Sequence, residues 1–352
     1  MKKWKSLYIY YISGTGNARM SCDWIADEAR KSGIDTVVQK IDRLEGIIFP
    51  EPSPDLLIGF AFPTHGFNAA PIMLKFMAGF PAKLCNNIFL LNTRAGMKMS
   101  KLFTPGLSGL ALILPAFMLR MKGYKCIGYR PVDMPSNWIP LHPGIKHKVI
   151  DSIFTRCEAV VRKFAIRTIN GEKTWNGLYT IPVDLVISPL AFGYYVAGRF
   201  FLSKTFIANN NCNLCLKCVK ECPTASIKIV NNKPYWKLSC ESCMRCLNMC
   251  PERAIEAAHG MAIGFYFLII LLNTKLALLI SDLSGLPDKS GLLKITSSVT
   301  SLILTVFVPA FAYFVIHYAI GLKPVNGLFR WTSLTTFRFW RRYRAGMSNG
   351  KK

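Results

Sequence analysis

Two short runs, CNLCLKCVKECP at 212–223 and CESCMRCLNMCP at 240–251, constrain this chain more than any other feature. Each cysteine of the first recurs 28 residues later: Cys212 and Cys240, Cys215 and Cys243, Cys218 and Cys246, Cys222 and Cys250. Pro223 matches Pro251, and Ile227 matches Ile255, at the same offset. The pattern C-x2-C-x2-C-x3-C-P, written twice, is the spacing for two 4Fe-4S clusters. Three thiolates of a run fold around one cluster, and the fourth, held by the turn before its proline, reaches the other. The spacing therefore assigns Cys212, Cys215, Cys218 and Cys250 to one cluster, and Cys240, Cys243, Cys246 and Cys222 to the other. Such an exchange crosslinks the halves of a module of about 50 residues that has little core of its own. The competing reading is two zinc sites. Zinc ligands are usually spaced as two separated C-x2-C pairs, so three close thiols plus Cys-Pro favour the cubane.

The other four cysteines, Cys22, Cys85, Cys126 and Cys157, are isolated and read as small buried hydrophobes. The basic, then apolar start MKKWKSLYIYYISGTG lacks a long apolar core and cleavage site, so an exported, disulfide-bonded chain is not expected.

Before the cysteine runs, strand-like segments alternate with helical patterns. LYIYYI (7–12), TVVQKI (36–41), LLIGFAF (56–62), NIFLLN (87–92) and YKCIGYRPV (124–132) are apolar and β-rich. Helical patterns follow SGTGN and recur near 70–79, 98–121 and 151–169. Alternation of this kind predicts a parallel, doubly wound α/β sheet covered on both faces, ending near residue 170. Ser13, Gly14, Thr15, Gly16 and Asn17 lie between the first strand and first helix, where backbone amides and hydroxyls make a phosphate cradle. A Rossmann dinucleotide loop needs a third glycine where Arg19 stands. The turn is then left open to another phosphate-bearing ligand, to a simple anion or to no ligand. Two loops at the carboxyl ends of later strands supply further candidates: Thr64, His65, Gly66 and Phe67 in FPTHGFNAAP, and Asn92, Thr93, Arg94 and Gly96 in NTRAGM. The glycines allow close approach to a flat ring, Phe67 or His65 could stack on it, and Arg94 could stabilise negative charge.

SGTGN resembles the phosphate loop of flavodoxins, with Ala18 where a hydroxyl usually stands. The cysteine runs resemble bacterial-type two-cluster ferredoxins over 208–257. Together with PTHGF and VDMPSNW (132–138), they make residues 1–257 resemble the flavodoxin–ferredoxin fusion family of anaerobic bacteria. That resemblance implies a flavodoxin-like sheet followed by a small α+β ferredoxin domain, FMN and two clusters, and low-potential one-electron transfer.

The chain is 51% hydrophobic with a formal charge of +25, an unusual pairing for a soluble enzyme. After Asp288 there is no acidic residue but ten Lys and Arg. Residues 261–281 and 297–322 are apolar over the roughly 20 residues a membrane span needs, although Asn273 and Lys275 interrupt the first and Pro309 and His317 the second. They predict a helical hairpin over 258–322, with both ends on one positive face. The tail 323–352 has Arg338, Arg341, Arg342 and Arg344 among Trp331, Phe337, Trp340 and Tyr343, which suits the cytoplasmic membrane interface rather than nucleic acid. The apolar segments 102–119 and 178–202 read as packed or interfacial, because spanning would split the sheet or separate it from the cysteines. The leading expectation is electron transfer through FMN and two clusters at the membrane, to a redox partner protein the residues do not specify. Alternatives are a flavin reductase acting on a small molecule such as a quinone, and a non-enzymatic redox sensor or scaffold.

Overall fold

The computed structural model describes residues 4–99, 102–175, 177–284 and 291–343. Arg344 and the turn between the two expected spans lie outside them. The chain forms two units: Met1–Phe192 with Cys243–Asn248 and Arg341–Lys352, and Gly193–Ser242 with Met249–Trp340.

The first unit is built on β1 (Ser6–Tyr11), α1 (Asn17–Lys31), β2 (Asp35–Lys40), β3 (Leu56–His65), β4 (Asn68–Ala69), α2 (Pro71–Gly79), β5 (Asn87–Met99), β6 (Leu102–Thr104), α3 (Leu110–Met121), β7 (Lys125–Pro135) and α4 (His147–Ile169). The parallel strands run in the order β2-β1-β3-β5-β7. This is the flavodoxin-like doubly wound order, whose switch point lies between β1 and β3. Burial of both faces explains why β1 and β3 read as apolar runs rather than alternations. Leu7, Ile9, Ile25 and Phe164 enter one core, whereas Tyr10, Phe60, Phe76 and Phe80 form an aromatic cluster.

One segment departs from its sequence reading. The helix expected near 98–121 begins only at Leu110. Upstream of it, β5 continues to Met99 and turns back as antiparallel β6. Pro105, Gly106 and Gly109 then make a loop, and Gly109 adopts φ 54°. A Cβ there would come within 2.4 Å of the Phe67 carbonyl, so the helix starts where the glycine ends. With 12 residues, α3 is too short to span a bilayer.

Following α4, α5 (Ile181–Gly193) continues through a π-helical turn, Tyr194–Gly198, into α6 (Arg199–Ser203). The second unit also contains β8 (Phe206–Ala208), α7 (Lys217–Lys220), β9 (Ile227–Val230), β10 (Lys233–Trp236) and β11 (Ile255–Ala257), whereas α8 (Arg245–Met249) belongs to the first unit except for Met249. β8 pairs antiparallel with β11, and β9 with β10. The strand before the first cysteine run thus pairs with the strand after the second.

α9 (His259–Ser284) and α10 (Gly291–Ala319) pack on each other. Asn273 bridges them, donating to Ser297 Oγ at 3.1 Å and accepting from Thr300 Oγ1 at 2.7 Å. Polar side chains between apolar helices satisfy one another this way in lipid. Among the described residues three helical stretches, not the two expected, are long and apolar enough to cross a membrane: Ile181–Ser203, which covers most of the segment read from sequence as packed or interfacial, His259–Leu283 and Leu293–Ala319. Their flanks expose Val186, Phe192, Phe267, Leu271, Phe307 and Phe311. In the first of them Asp184 is buried, accepting from the Ser108 and Gly109 amides at 3.1 and 2.7 Å. α11 (Lys323–Trp331) follows α10. From it Asn326 donates to the Ala208 carbonyl, and Thr335 beyond it donates to the buried Glu256. The segment after α10 is thereby tied to the β8–β11 pair by side-chain hydrogen bonds.

Candidate functional site

At the carboxyl end of the first unit's sheet is a cavity of about 450 Å³. The turn after β1 lines it with Ser13, Gly14, Thr15 and Asn17. Gly16, the residue before α1, has φ 108°, which only glycine adopts readily, and its amide donates to Ser13 Oγ at 3.1 Å. The amides that open α1 lack intrahelical acceptors and are the natural partners of an anion. No lysine or arginine belongs to this turn, so the cradle is neutral.

The loop after β3 brings Thr64, Gly66 and Phe67 to the same cavity, and β5 brings Thr93 and Arg94. Gly66 and Phe67 are both left-handed, with φ 52° and 64°. A phenylalanine held there is strained, as is common at ligand sites. Four candidates lie off the wall. Gly16 shapes the turn from behind. His65 is fully buried, and burial pushes its pKa down to about 4, so it is a neutral core residue. Asn92 is buried and positions the wall, donating to Thr64 Oγ1 at 2.8 Å and Ser108 Oγ at 3.3 Å. Gly96 lies against the Asp133 backbone, where a Cβ would come within 2.5 Å of a carbonyl oxygen. Arg94 is on the wall, but Asp133 accepts from its Nε at 2.7 Å, and its other nitrogens donate to Ser108 and Tyr179.

Several lining residues were absent from the sequence list: Gly106, Leu107, Ser136, Asn137, Trp138 and His142. The stretch 132–138 was visible only as part of a family resemblance, and 105–109 only as apolar chain. Asp184 and Asp133 hold the latter loop, the carboxylate of Asp133 accepting from the Gly106 amide at 2.8 Å.

A hydrogen-bonded chain braces the phosphate-loop region. Asn137 Nδ2 donates to Thr15 Oγ1 at 2.9 Å, and Asn248 Nδ2 donates to the Asn137 carbonyl at 3.1 Å. Asn248 Oδ1 accepts from the Tyr343 amide at 2.8 Å, and the Tyr343 hydroxyl donates to Asn17 Oδ1. Arg341 and Arg342 of the same tail donate to the carbonyls of Gly144 and Leu247. The second cysteine run also touches the turn. A Cβ on Gly14 would lie 2.4 Å from the Cys243 carbonyl oxygen, so only glycine fits there.

The two cysteine runs share their backbone conformation as well as their spacing. Leu214, Leu216 and Ala225 are left-handed (φ 56°, 59°, 49°), and so are Ser242, Met244 and Arg253 (φ 52°, 61°, 50°), each 28 residues on. None is glycine, so each position carries strain. Ser226 donates its amide to Cys222 Sγ and Ala254 to Cys250 Sγ, both at 3.3 Å, again 28 residues apart.

Cys212, Cys215, Cys218, Cys222, Cys240 and Cys250 belong to the second unit, and Cys243 and Cys246 to the first. Burial, then neighbouring Cys212, Cys250 and Cys215, push the Cys218 thiol up to about 12. The other three sulfurs therefore act electrostatically on Cys218. Among the described residues, no group of three His, Cys, Asp or Glu side chains converges on a point suited to one metal ion. Of the isolated cysteines, Cys22, Cys85 and Cys157 are buried and Cys126 is partly so.

His317, near the end of α10, accepts from or donates to no cavity group: its Nε2 is 3.0 Å from the Val230 carbonyl, and its ring meets Tyr235 edge-on.

No protein-family model matches the chain, and no curated protein does. Solved structures do. The two-electron reduced flavodoxin of Megasphaera elsdenii is 14% identical, over 45% of this chain and 98% of its own, with a TM-score of 0.28. Oxidised flavodoxin 1 of Bacillus cereus is 16% identical, over 45% and 97%, with a TM-score of 0.27. NAD(P)H:quinone oxidoreductase from Methanothermobacter marburgensis is 12% identical, over 45% and 98%, with a TM-score of 0.30.

Proposed function

We propose that this chain is a membrane-attached electron-transfer protein, holding FMN in the cavity of its first unit and two 4Fe-4S clusters on its cysteine runs. One observation carries the reading: the Cys243 carbonyl lies against Gly14, so a cluster-type loop touches a phosphate-type loop with no side chain between them. A protein that only bound a nucleotide, or only bound metal, has no need of that contact.

The donors suit both groups. Amides at the start of α1, with the hydroxyls of Ser13 and Thr15, would hold the FMN phosphate, and Thr64, Gly66, Phe67 and Thr93 would line its ring. Cys212, Cys215, Cys218 and Cys250 would ligate one cluster, and Cys240, Cys243, Cys246 and Cys222 the other. Residues 208–257 are then a two-cluster ferredoxin-like domain. When bound, FMN exchanges two electrons and each cluster one. The amides of Ser226, Ala254 and Ser242 donate to cysteine sulfurs, which stabilises added negative charge and raises potential. Buried His65 stays neutral and takes no part. α9 and α10 would anchor the protein, and by the positive-inside tendency the excess of Lys and Arg after Asp288 would favour the cytoplasmic face for its redox parts.

Anaerobic purification in detergent, followed by iron, zinc and flavin assays with visible and EPR spectra, tests this. The expected result is about eight iron atoms and one FMN per chain. Iron without flavin would remove the first unit's role. A colourless protein that takes up zinc would overturn the reading.

A further inference from the structure

Lysine is seldom fully buried unless it is paired, yet Lys204 is 1% exposed. It follows α6 in the second unit and has no carboxylate partner among the described residues. Its ammonium donates to the Trp236 carbonyl and lies 4.8 Å from the ring centres of both Tyr235 and Tyr313. A carbonyl and two aromatic faces make a cage that retains a cation in a dry place. Trp236 leads directly into the turn that closes with the Cys240 amide donating to the Lys237 carbonyl at 3.2 Å. Burial lowers the Lys204 pKa to about 8, and Cys240 opposes that shift, so the group is charged at neutral pH and feels this sulfur.

The first run has a weaker counterpart. Lys233 is only partly buried and donates to the Asn209 carbonyl at 3.1 Å and Asn210 Oδ1 at 3.4 Å, and Cys212 is the sulfur that acts on it. Cys212 and Cys240 are equivalent positions of the repeat. Each acts electrostatically on a lysine, but one lysine is sealed from water and the other is not. A charge acts more strongly where water cannot screen it.

We infer that Lys204 is a built-in counter-charge that raises the reduction potential of the cluster ligated by Cys240 above that of the cluster ligated by Cys212. The inference rests on the two-cluster reading above. Reduction adds one electron to a cluster and changes its charge from about −2 to −3, with no bond made or broken. A fixed cation nearby stabilises the product more than the reactant. The sequence repeat alone makes the two clusters equivalent; the buried lysine makes them unequal and gives an electron a downhill direction between them.

The test is an EPR-monitored titration with dithionite of the full-length chain in detergent. Two midpoints are expected in the wild type. K204M and K204Q, the latter able to donate to the Trp236 carbonyl, should lower the higher midpoint by about 59 mV or more, which is a tenfold change in a one-electron equilibrium. The lower midpoint should move less, and K204R should keep the wild-type pair. Absence of clusters from the wild type would defeat the two-cluster reading itself. Full iron content in the neutral variants with both midpoints unmoved, or shifted equally, would overturn the role of Lys204. So would loss of iron from both neutral variants with K204R intact, since Lys204 would then be a structural lysine.

Discussion

The cavity of the first unit and the cysteine runs are assembled in opposite ways. The runs are local: eight sulfurs lie within 39 consecutive residues, and the same left-handed residues and N–H···S bonds return 28 positions later. The cavity is non-local: its wall draws on residues 13–17, 63–67, 93–95, 105–107 and 135–142, and its bracing reaches Asn248 and Tyr343. A locally encoded site should tolerate damage elsewhere but fail when one ligand is lost. A distributed site should weaken by degrees under substitutions far apart in the chain.

The largest expected effect falls on the local site. Cys250→Ser removes a proposed ligand of the first cluster, and its iron content should fall by about half, with FMN retained. If iron and flavin were lost together, the two sites would not be separable in this way. Gly14→Val is next. Its side chain must overlap the Cys243 carbonyl and crowd the phosphate turn, so FMN affinity by fluorescence titration should fall tenfold or more, about 1.4 kcal/mol. Retention of wild-type affinity would mean that the phosphate does not use this turn.

His65 sharpens the comparison through pH. Its pKa falls to about 4 in the folded chain from about 6.5 when unfolded, so the unfolded state binds more protons between those values. Stability is therefore complete above pH 6.5 and is lost as pH falls toward 4. The loss should reach about 2 kcal/mol by pH 5, measured as a lowered urea midpoint, and His65→Asn should flatten the slope. Tyr343→Phe is the smallest change. It deletes the donor to Asn17, and should weaken FMN binding by about 0.5–1.5 kcal/mol while leaving iron content unchanged. No change in either would detach the tail from the cavity.

The limits of sequence reading follow the same division. SGTGN is legible as the turn between the first strand and first helix because a turn depends on neighbours along the chain, and the strands because a sheet buried on both faces requires apolar runs. His65 and Asn92 were proposed as site residues with Phe67 and Thr93, yet they turn into the core. Side chains alternate across a strand, and position along it does not say which side meets the cavity. Arg94 reached the wall, but Asp133, 39 residues away, accepts from its Nε. Asp184 lies in an apolar segment, yet its carboxylate accepts from the Ser108 and Gly109 amides, a role only the folded chain reveals.

Spacing along the chain determined the repeat of eight cysteines, the alternation that builds a parallel sheet, and the apolar lengths able to cross a membrane. Those properties depend on covalent distance and on the periods of helix and strand, which any stretch of chain expresses by itself. Tertiary structure decided which strand-end residues face the cavity, that Tyr343 braces the Ser13–Asn17 turn, and that Lys204 is sealed from water while Lys233 is not. Burial and hydrogen-bond partnership arise only when remote segments meet, and a charge acquires its strength from the water that folding removes.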